Sequence, residues 1–421
     1  MSQPVSCASV DEKPPASPFR ATMVTAEPAV RVDEEGAPPS FGNAETSDPG
    51  PAAGVVDGQL PSPRGVPSSS SWTPATLAAE LQRLPVSALF PELTEAAVDI
   101  LTRWHQRFPL KIWKRMVKIY DGAAHQTPCV LKELNECAPV IERVRAWVAA
   151  MPSASPATYI IDLGAGFGFL SMFLAELLPV ERVKRCILVD ASYPNLGVEA
   201  SNGSISTEHI YGNGDWRIPL HTLKVDLKKG RALNLIAERV LRAPAAELDG
   251  LDSTAGVAPA IVCGVHLCNT LGLRAAQLFN EHPEVVGLAL VPCCFPTQRH
   301  LKQEVVYQLG SHRFAAMDVL DAKVLPSSTA RFGEWARNIV EGIEPGEGGG
   351  KALERHSLHK PKSSSMFAQD VYIFGERPWL SDSLAGRRLE KSGGAVIVDA
   401  EYGHAAARHR GRRARGREDG G

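Results

Sequence analysis

Apolar side chains recur at spacings of three and four from Leu77 to Val148, and the rhythm then changes. Thr73-Pro74 supplies a capping hydroxyl followed by a proline in the first turn, and Leu77, Leu81 and Leu84 fall on one face behind it. Leu93, Ala97, Leu101, Trp104 and Phe108 predict a second helix. Trp113, Val117 and Tyr120 predict a third, with Lys111, Lys114, Arg115 and Lys118 on its remaining surface. After Asp121-Gly122, Val140, Val144, Trp147 and Val148 mark a fourth stripe, so residues 73–150 read as a helical unit.

From Pro156 onward, short apolar runs alternate with helix-length segments. The runs are Tyr159 to Asp162, Cys186 to Asp190, Leu223 to Asp226, Ala260 to Val265, Val285 to Val291 and, late in the chain, Asp370 to Phe374. The first is followed by a helix with Leu170, Phe173, Leu174 and Leu177 inward. Runs that are apolar on both sides and joined by helices predict a doubly wound, mostly parallel Rossmann-like α/β sheet covered on both faces, here over residues 151–380. No internal repeat interrupts this pattern.

Composition alters the picture mainly at the ends. The 421 residues hold 36 Gly and 32 Pro but only 6% aromatics, and the deficit is concentrated before Trp72. There, Phe19 and Phe41 stand alone among Pro, Ala, Ser, Gly and acids, too little apolar surface to offset chain entropy. Residues 1–72 therefore read as a disordered leader, and 381–421 as a disordered basic tail carrying Arg408, Arg410, Arg412, Arg413, Arg415 and Arg417.

No run of roughly 18 uncharged apolar residues predicts a membrane span. The N-terminus lacks the basic start and apolar stretch of a secretory signal, and Asp11, Glu12, Asp33, Glu34 and Glu35 argue against an organelle transit peptide. A net charge of −2 gives no bulk attraction to nucleic acid and leaves that role to local basic patches. The eight cysteines lie scattered or within apolar runs, the usage of reduced thiols in the cytoplasm or nucleus. Nothing in the pattern sets an oligomeric state.

The densest chemistry is Asp162-Leu163-Gly164-Ala165-Gly166-Phe167-Gly168, between the first predicted strand and its helix. Glycines there let the backbone turn sharply and approach a ligand, while the helix that follows offers free N–H groups. A dinucleotide loop needs glycines at its first, third and sixth positions. Counted from Gly164 the sixth residue is Phe169, and the third glycine arrives one residue early at Gly168.

An acid followed by alternate glycines resembles motif I of the class I S-adenosylmethionine-dependent methyltransferases. The resemblance implies that S-adenosylmethionine is the cofactor, held by Asp162, Gly164, Ala165, Gly166 and Gly168. Asp162 would anchor its amino end, Asp190 at the second strand end would bind the ribose hydroxyls, and Asp226 would lie beside the adenine. All three acids open at strand ends, where ligands of such sheets bind. Exposed acids and turn glycines without a ligand are the structural alternative.

Two further segments sit at consecutive strand ends, Val265-His266-Leu267-Cys268-Asn269 and Pro292-Cys293-Cys294-Phe295-Pro296. Together they resemble a divergent methyltransferase group that includes the tRNA 2′-O-methyltransferases with a Lys-His-Leu-Cys-Gly motif. Val265 stands where that group has Lys, Asn269 where it has Gly, and the group's zinc finger is not visible. The resemblance places the acceptor near His266, Asn269, Cys293 and Cys294. His266 is a candidate general base or acceptor clamp, or else a histidine that stabilises the turn; Asn269 is a candidate acceptor contact or a cap of the next helix.

No metal is expected, because the adjacent Cys293 and Cys294 would point to opposite faces of a strand and lack a two-residue spacer. The acceptor class the resemblance favours is RNA, tRNA or rRNA, with the Lys111 to Lys118 cluster and the arginine tail as candidate phosphate contacts. Methylation of a protein or small molecule, an inactive module that keeps the fold, and a nucleotide-dependent oxidoreductase remain as alternatives.

Overall fold

Prolines open the first three helices, where a missing N–H costs nothing. They begin α1 (Pro74–Leu81), α2 (Pro85–Leu89) and α3 (Pro91–Arg107). Thr73 caps α1 reciprocally: its hydroxyl accepts from the Thr76 N–H, and the Thr76 hydroxyl accepts from the Thr73 N–H at 2.8 Å. Helices α4 (Leu110–Met116) and α5 (Cys129–Ala149) complete the leading segment. The computed structural model describes residues 72–119, 127–195, 204–212, 215–242, 258–356, 358 and 371–379. The expected leader up to Ser71, the arginine tail and Tyr120 lie outside the described residues.

The sheet is assembled from β1 (Thr158–Leu163), β2 (Val183–Asp190), β3 (Leu220–Lys224), β4 (Ala260–Val265) and β5 (Val285–Val291), all parallel. A small hairpin, β6 (Val306–Leu309) with β7 (His312–Ala315), stands apart from it. Two strands extend the sheet, β8 (Gly350–Arg355) and β9 (Val371–Glu376), with β9 antiparallel to both β5 and β8. The seven-strand order is β3-β2-β1-β4-β5-β9-β8, so the order reverses between β1 and β4. That reversal creates the crevice in which ligands of open α/β sheets bind.

Alternation along the strands explains the burial of both faces. Ile160, Leu188 and Ile261 enter one core with Leu77, Trp104, Val144 and Phe173 from α1, α3, α5 and α6 (Phe169–Leu177). Their neighbours Ile161, Val189 and Val262 enter the other, against Phe279 and Trp335 of the helices Leu271–Glu281 and Ser328–Glu341. The leading helices thus share one continuous core with the sheet.

Two details of the main sheet depart from the sequence reading. The third strand starts three residues earlier than expected and ends at Lys224, so Asp226 lies beyond it. There the Asp226 carboxylate turns back to accept from the Lys228 N–H at 3.0 Å, which a residue pairing in the sheet would not do. The edge strand β8 was not anticipated. It carries Lys351, Glu354 and Arg355 and buries none of its residues, so no apolar alternation marks it.

Polar contacts tie α3 to α6 through one buried carboxylate. Glu176 accepts from Trp104 Nε1 at 3.1 Å and Arg103 Nη2 at 3.0 Å, and Arg107 Nη1 lies 3.3 Å away. Glu176→Ala removes the acceptor and leaves the indole N–H without its partner, and loss of about 2–4 kcal/mol is expected. Urea denaturation checks this, and a change under about 0.5 kcal/mol, the scale of an ordinary surface substitution, would show the contact to be incidental. Among the described residues no helix is long and apolar enough to cross a membrane.

Candidate functional site

The loop after β1 depends on its glycines. Gly164, Gly166 and Gly168 have φ of 68°, 56° and 92°, a region that strains residues with a Cβ. A Cβ on Gly168 would meet Leu188 Cδ2 at 2.4 Å, so helix α6 packs on β2 only because that atom is missing. A Cβ on Gly166 would meet nothing within 4 Å. The middle of the loop therefore faces open space, as a ligand-bearing backbone must. Ala165 fastens the loop at both sides: its N–H donates to the Val189 carbonyl at 3.2 Å, and its carbonyl accepts from Gly168 N–H at 2.8 Å.

Asp190 closes β2 beside this loop. One carboxylate oxygen accepts from Gly166 N–H at 3.1 Å and the other from Ser192 N–H at 2.7 Å, while the side chain stays partly exposed. Its lone pairs at the crevice remain available to ligand hydroxyls. Tyr193, fully buried, donates its hydroxyl to the Gly166 carbonyl at 2.8 Å. On the other side, the His209 ring stacks on Phe167 with centroids 3.8 Å apart, and Nε2–H donates to the Phe167 carbonyl at 2.7 Å. Burial pushes His209 down to about 4, so the ring is neutral there. Asp226, partly buried beyond β3, lies near Asp190, whose carbonyl accepts from the Val225 N–H at 3.2 Å.

Asp162 is placed differently from its neighbours. It is 2% exposed and accepts from Ser171 Oγ of α6 at 2.8 Å. Desolvation outweighs that hydrogen bond and lifts its carboxyl to about 7. A carboxyl raised in the folded state favours folding most below its unfolded value near 4, and that contribution is lost as pH rises through 7. The difference is on the order of 4 kcal/mol. Asp162→Asn, which cannot ionise, is therefore expected to gain in melting temperature relative to the wild type as pH rises from about 4 to about 7. Calorimetric scans at several pH values check this; a constant difference across that range would contradict it.

Across the crevice, His266 and Asn269 both adopt left-handed backbone, φ 63° and 55°. Non-glycine residues held there cost about 1–3 kcal/mol each and cluster at ligand sites. Between them Leu267 packs under the glycine loop, its Cδ2 at 3.0 Å from where a Gly164 Cβ would stand. Asn269 does not cap the next helix; Thr270 holds the cap position.

His266 Nε2 lies 2.8 Å from Glu136 Oε2 and 3.6 Å from Glu133 Oε2, an ion contact bent away from ideal hydrogen-bond alignment. Burial pushes the ring down, but the carboxylates of Glu133 and Glu136 outweigh it and raise His266 to about 9. At neutral pH it is an imidazolium that donates; general-base action by this ring requires an alkaline medium. Lys132 Nζ contacts Glu136 at 2.6 Å and Glu133 at 3.3 Å, so two cations balance two carboxylates. Lys132, Glu133, Glu136, Ser171, Tyr193 and His209 were missed in the sequence. The signal for the first three was the spacing of Lys132, Glu133 and Glu136 on one turn of an otherwise apolar face.

The cysteines require a correction. Strand β5 ends at Val291, so Cys293 and Cys294 follow Pro292 in irregular chain and do not alternate across a sheet. Their sulfurs lie 3.9 Å apart, and Cys268 Sγ is 2.8 Å from Cys293 Sγ. The Cys293 thiol donating to Cys294 draws Cys294 down to about 5, while Cys293 moves up.

Sheet order, glycine loop and strand-end acid together define a doubly wound, mostly parallel Rossmann-like sheet with a ligand crevice at its switch point. Residues 131–300 match a family model described as a methyltransferase domain. S-adenosylmethionine is its expected cofactor, and when bound it supplies an electrophilic methyl group.

Solved structures similar to this chain include the CurJ carbon methyltransferase, at 13% identity with 72% of this chain and 71% of that one covered and a TM-score of 0.31. The plantazolicin methyltransferase BpumL in complex with SAH is similar at 11% identity, 58% and 86% coverage and a TM-score of 0.27. The 23S rRNA methyltransferase ErmE is similar at 13%, with 58% and 72% coverage and a TM-score of 0.24. No curated protein matches the chain significantly.

Proposed function

We propose that this protein transfers a methyl group from S-adenosylmethionine to an oxygen or nitrogen of RNA. The observation that carries the cofactor half is the left-handed glycine loop, open at Gly166, with the Asp190 carboxylate at its rim. In this reading Gly164, Ala165, Gly166, Gly168 and Asp190 hold the cofactor and Asp226 flanks its base. Asp162 supports the loop from beneath through Ser171.

RNA is favoured by helix α4. Lys111 and Lys114 are exposed along it and Lys118 just past its end, and Arg115 lies 5.3 Å over the Phe167 ring of the glycine loop. A row of cations leading to the cofactor loop suits a phosphate backbone. The acceptor atom would then lie against His266, Asn269, Cys293 and Cys294, where alignment with the methyl group does most of the catalytic work.

The protonated state of His266 favours a second reading, a binding module that keeps the fold without turnover. Incubation of the full chain with methyl-labelled cofactor and fractionated total RNA or protein extract separates the readings. Label in an RNA fraction is expected; label only in protein or small molecules would move the acceptor class. No transfer to any fraction, with cofactor binding retained, would support the second reading.

A further inference from the structure

Parallel pairing brings the ends of β4 and β5 out side by side. Val265 pairs with Val291, and the His266 N–H continues the ladder to the Val291 carbonyl at 3.0 Å. Cys268 lies three residues past one end and Cys293 and Cys294 two and three past the other, so topology itself assembles three thiols. Their sulfurs all fall within 4.8 Å of one another. We propose that Cys268, Cys293 and Cys294 bind one zinc-class ion, leaving a fourth position to water or an incoming ligand atom.

Five observations support the assignment. The Cys293–Cys294 sulfur separation of 3.9 Å matches the roughly 3.8 Å expected between thiolates sharing a tetrahedral ion with Zn–S bonds of about 2.3 Å, and Cys268, at 2.8 Å from Cys293, has about 1 Å to withdraw on binding. At 2.8 Å the Cys268–Cys293 pair is far beyond the roughly 2.05 Å of a disulfide, so both sulfurs are free to serve as ligands. Asn269 N–H points at Cys294 Sγ at 3.4 Å, the backbone support typical of metal-bound sulfur.

Two observations remain, the first one of contrast. Cys129, Cys137, Cys186 and Cys263 are each buried in the apolar core, whereas the three clustered thiols are partly exposed and reachable by an ion. Left-handed backbone at His266 and Asn269 brackets Cys268 and turns it toward the pair, a conformational cost that metal bonds would offset. Binding would release the remaining thiol protons to solvent, as thiolate is the ligand form.

The rival cluster of Glu133, Glu136 and His266 is a poorer site. Lys132 already occupies it, and its charges balance without an ion. Soft thiolates also select zinc-class ions over the harder cations that carboxylates prefer.

The test is metal analysis of the full chain purified under reducing conditions without chelator, by plasma mass spectrometry. About one zinc per chain is expected by the single-ion stoichiometry of a Cys-type site. Cys268→Ser, Cys293→Ser and Cys294→Ser should each reduce zinc content at least about 10-fold, as loss of one of three thiolates implies. Cys186→Ser, in the core, should retain it. Cobalt(II) added to chelator-stripped wild type gives a readout independent of variant folding: thiolate-to-cobalt charge-transfer bands are expected. Absence of zinc together with absence of those bands would overturn the proposal. So would zinc retained in all three variants, or a Cys268–Cys293 disulfide in protein trapped at lysis with an alkylating agent.

Discussion

Gly168→Ala is expected to cost about 3 kcal/mol of stability and to abolish detectable cofactor binding. Two effects combine. At φ 92° any L side chain is strained, and the new Cβ would stand 2.4 Å from Leu188 Cδ2, which cannot withdraw into a fully buried core. Relief requires moving α6 away from β2, and that shifts the start of the helix on which the ligand's contacts rest. Gly166→Ala is the informative partner. Its φ of 56° imposes strain of about 1 kcal/mol, but the added methyl group meets no atom within 4 Å. Stability should therefore fall little while affinity falls steeply, because the methyl enters the open face of the loop. Chemical denaturation and calorimetric titration with S-adenosylhomocysteine separate these outcomes. Equal losses of stability in the two variants would show that the loop is closed rather than open at Gly166.

Asp190→Ala is expected to weaken cofactor binding at least about 100-fold, which corresponds to about 2.7 kcal/mol. The carboxylate serves twice: it fixes the loop through the Gly166 and Ser192 N–H groups, and it presents acceptors to the two adjacent hydroxyls of a ribose. Removing it leaves both N–H groups at a partly exposed edge where water can replace them, so a stability loss of only about 1 kcal/mol accompanies the binding loss. Asp190→Asn keeps the shape but removes the charge and one acceptor, and an intermediate affinity is expected. A fall in stability larger than the fall in binding energy would make Asp190 a loop fastener alone.

Much of the fold could be read from the alternation of apolar residues, for a physical reason. In β1, β2, β4 and β5 neighbouring residues enter opposite cores, so unbroken apolar runs such as Ile160-Ile161 and Ile261-Val262 announced a sheet covered on both sides. Where burial is partial the signal fades. β3 buries only alternate residues and was placed three residues late, and β8 at the sheet edge, rich in charge, went unrecognised. A cap and a proline marked α1 and apolar spacing marked α3, but nothing local could show that these helices share the sheet's core.

The site divides in the same way. Glycines at alternate positions need left-handed backbone wherever they lie, and Gly164, Gly166 and Gly168 supply it. The depth of an acid is not a local property: Asp162 is the penultimate residue of β1 and Asp190 the last of β2, yet one is sealed against Ser171 and the other opens on the crevice. Pairs that meet only through topology were invisible, above all His266 with Glu133 and Glu136, and Cys268 with Cys293. Treating Cys293 and Cys294 as strand residues failed because Pro292 follows the last paired residue of β5 and breaks the alternation.

Calorimetric titration of the full chain with S-adenosylhomocysteine tests the central claim most directly. Saturable binding at a single site is expected, lost in Asp190→Ala and absent when NAD replaces the ligand. No binding to the wild type, or equal affinity in Asp190→Ala, would contradict the assignment of this crevice.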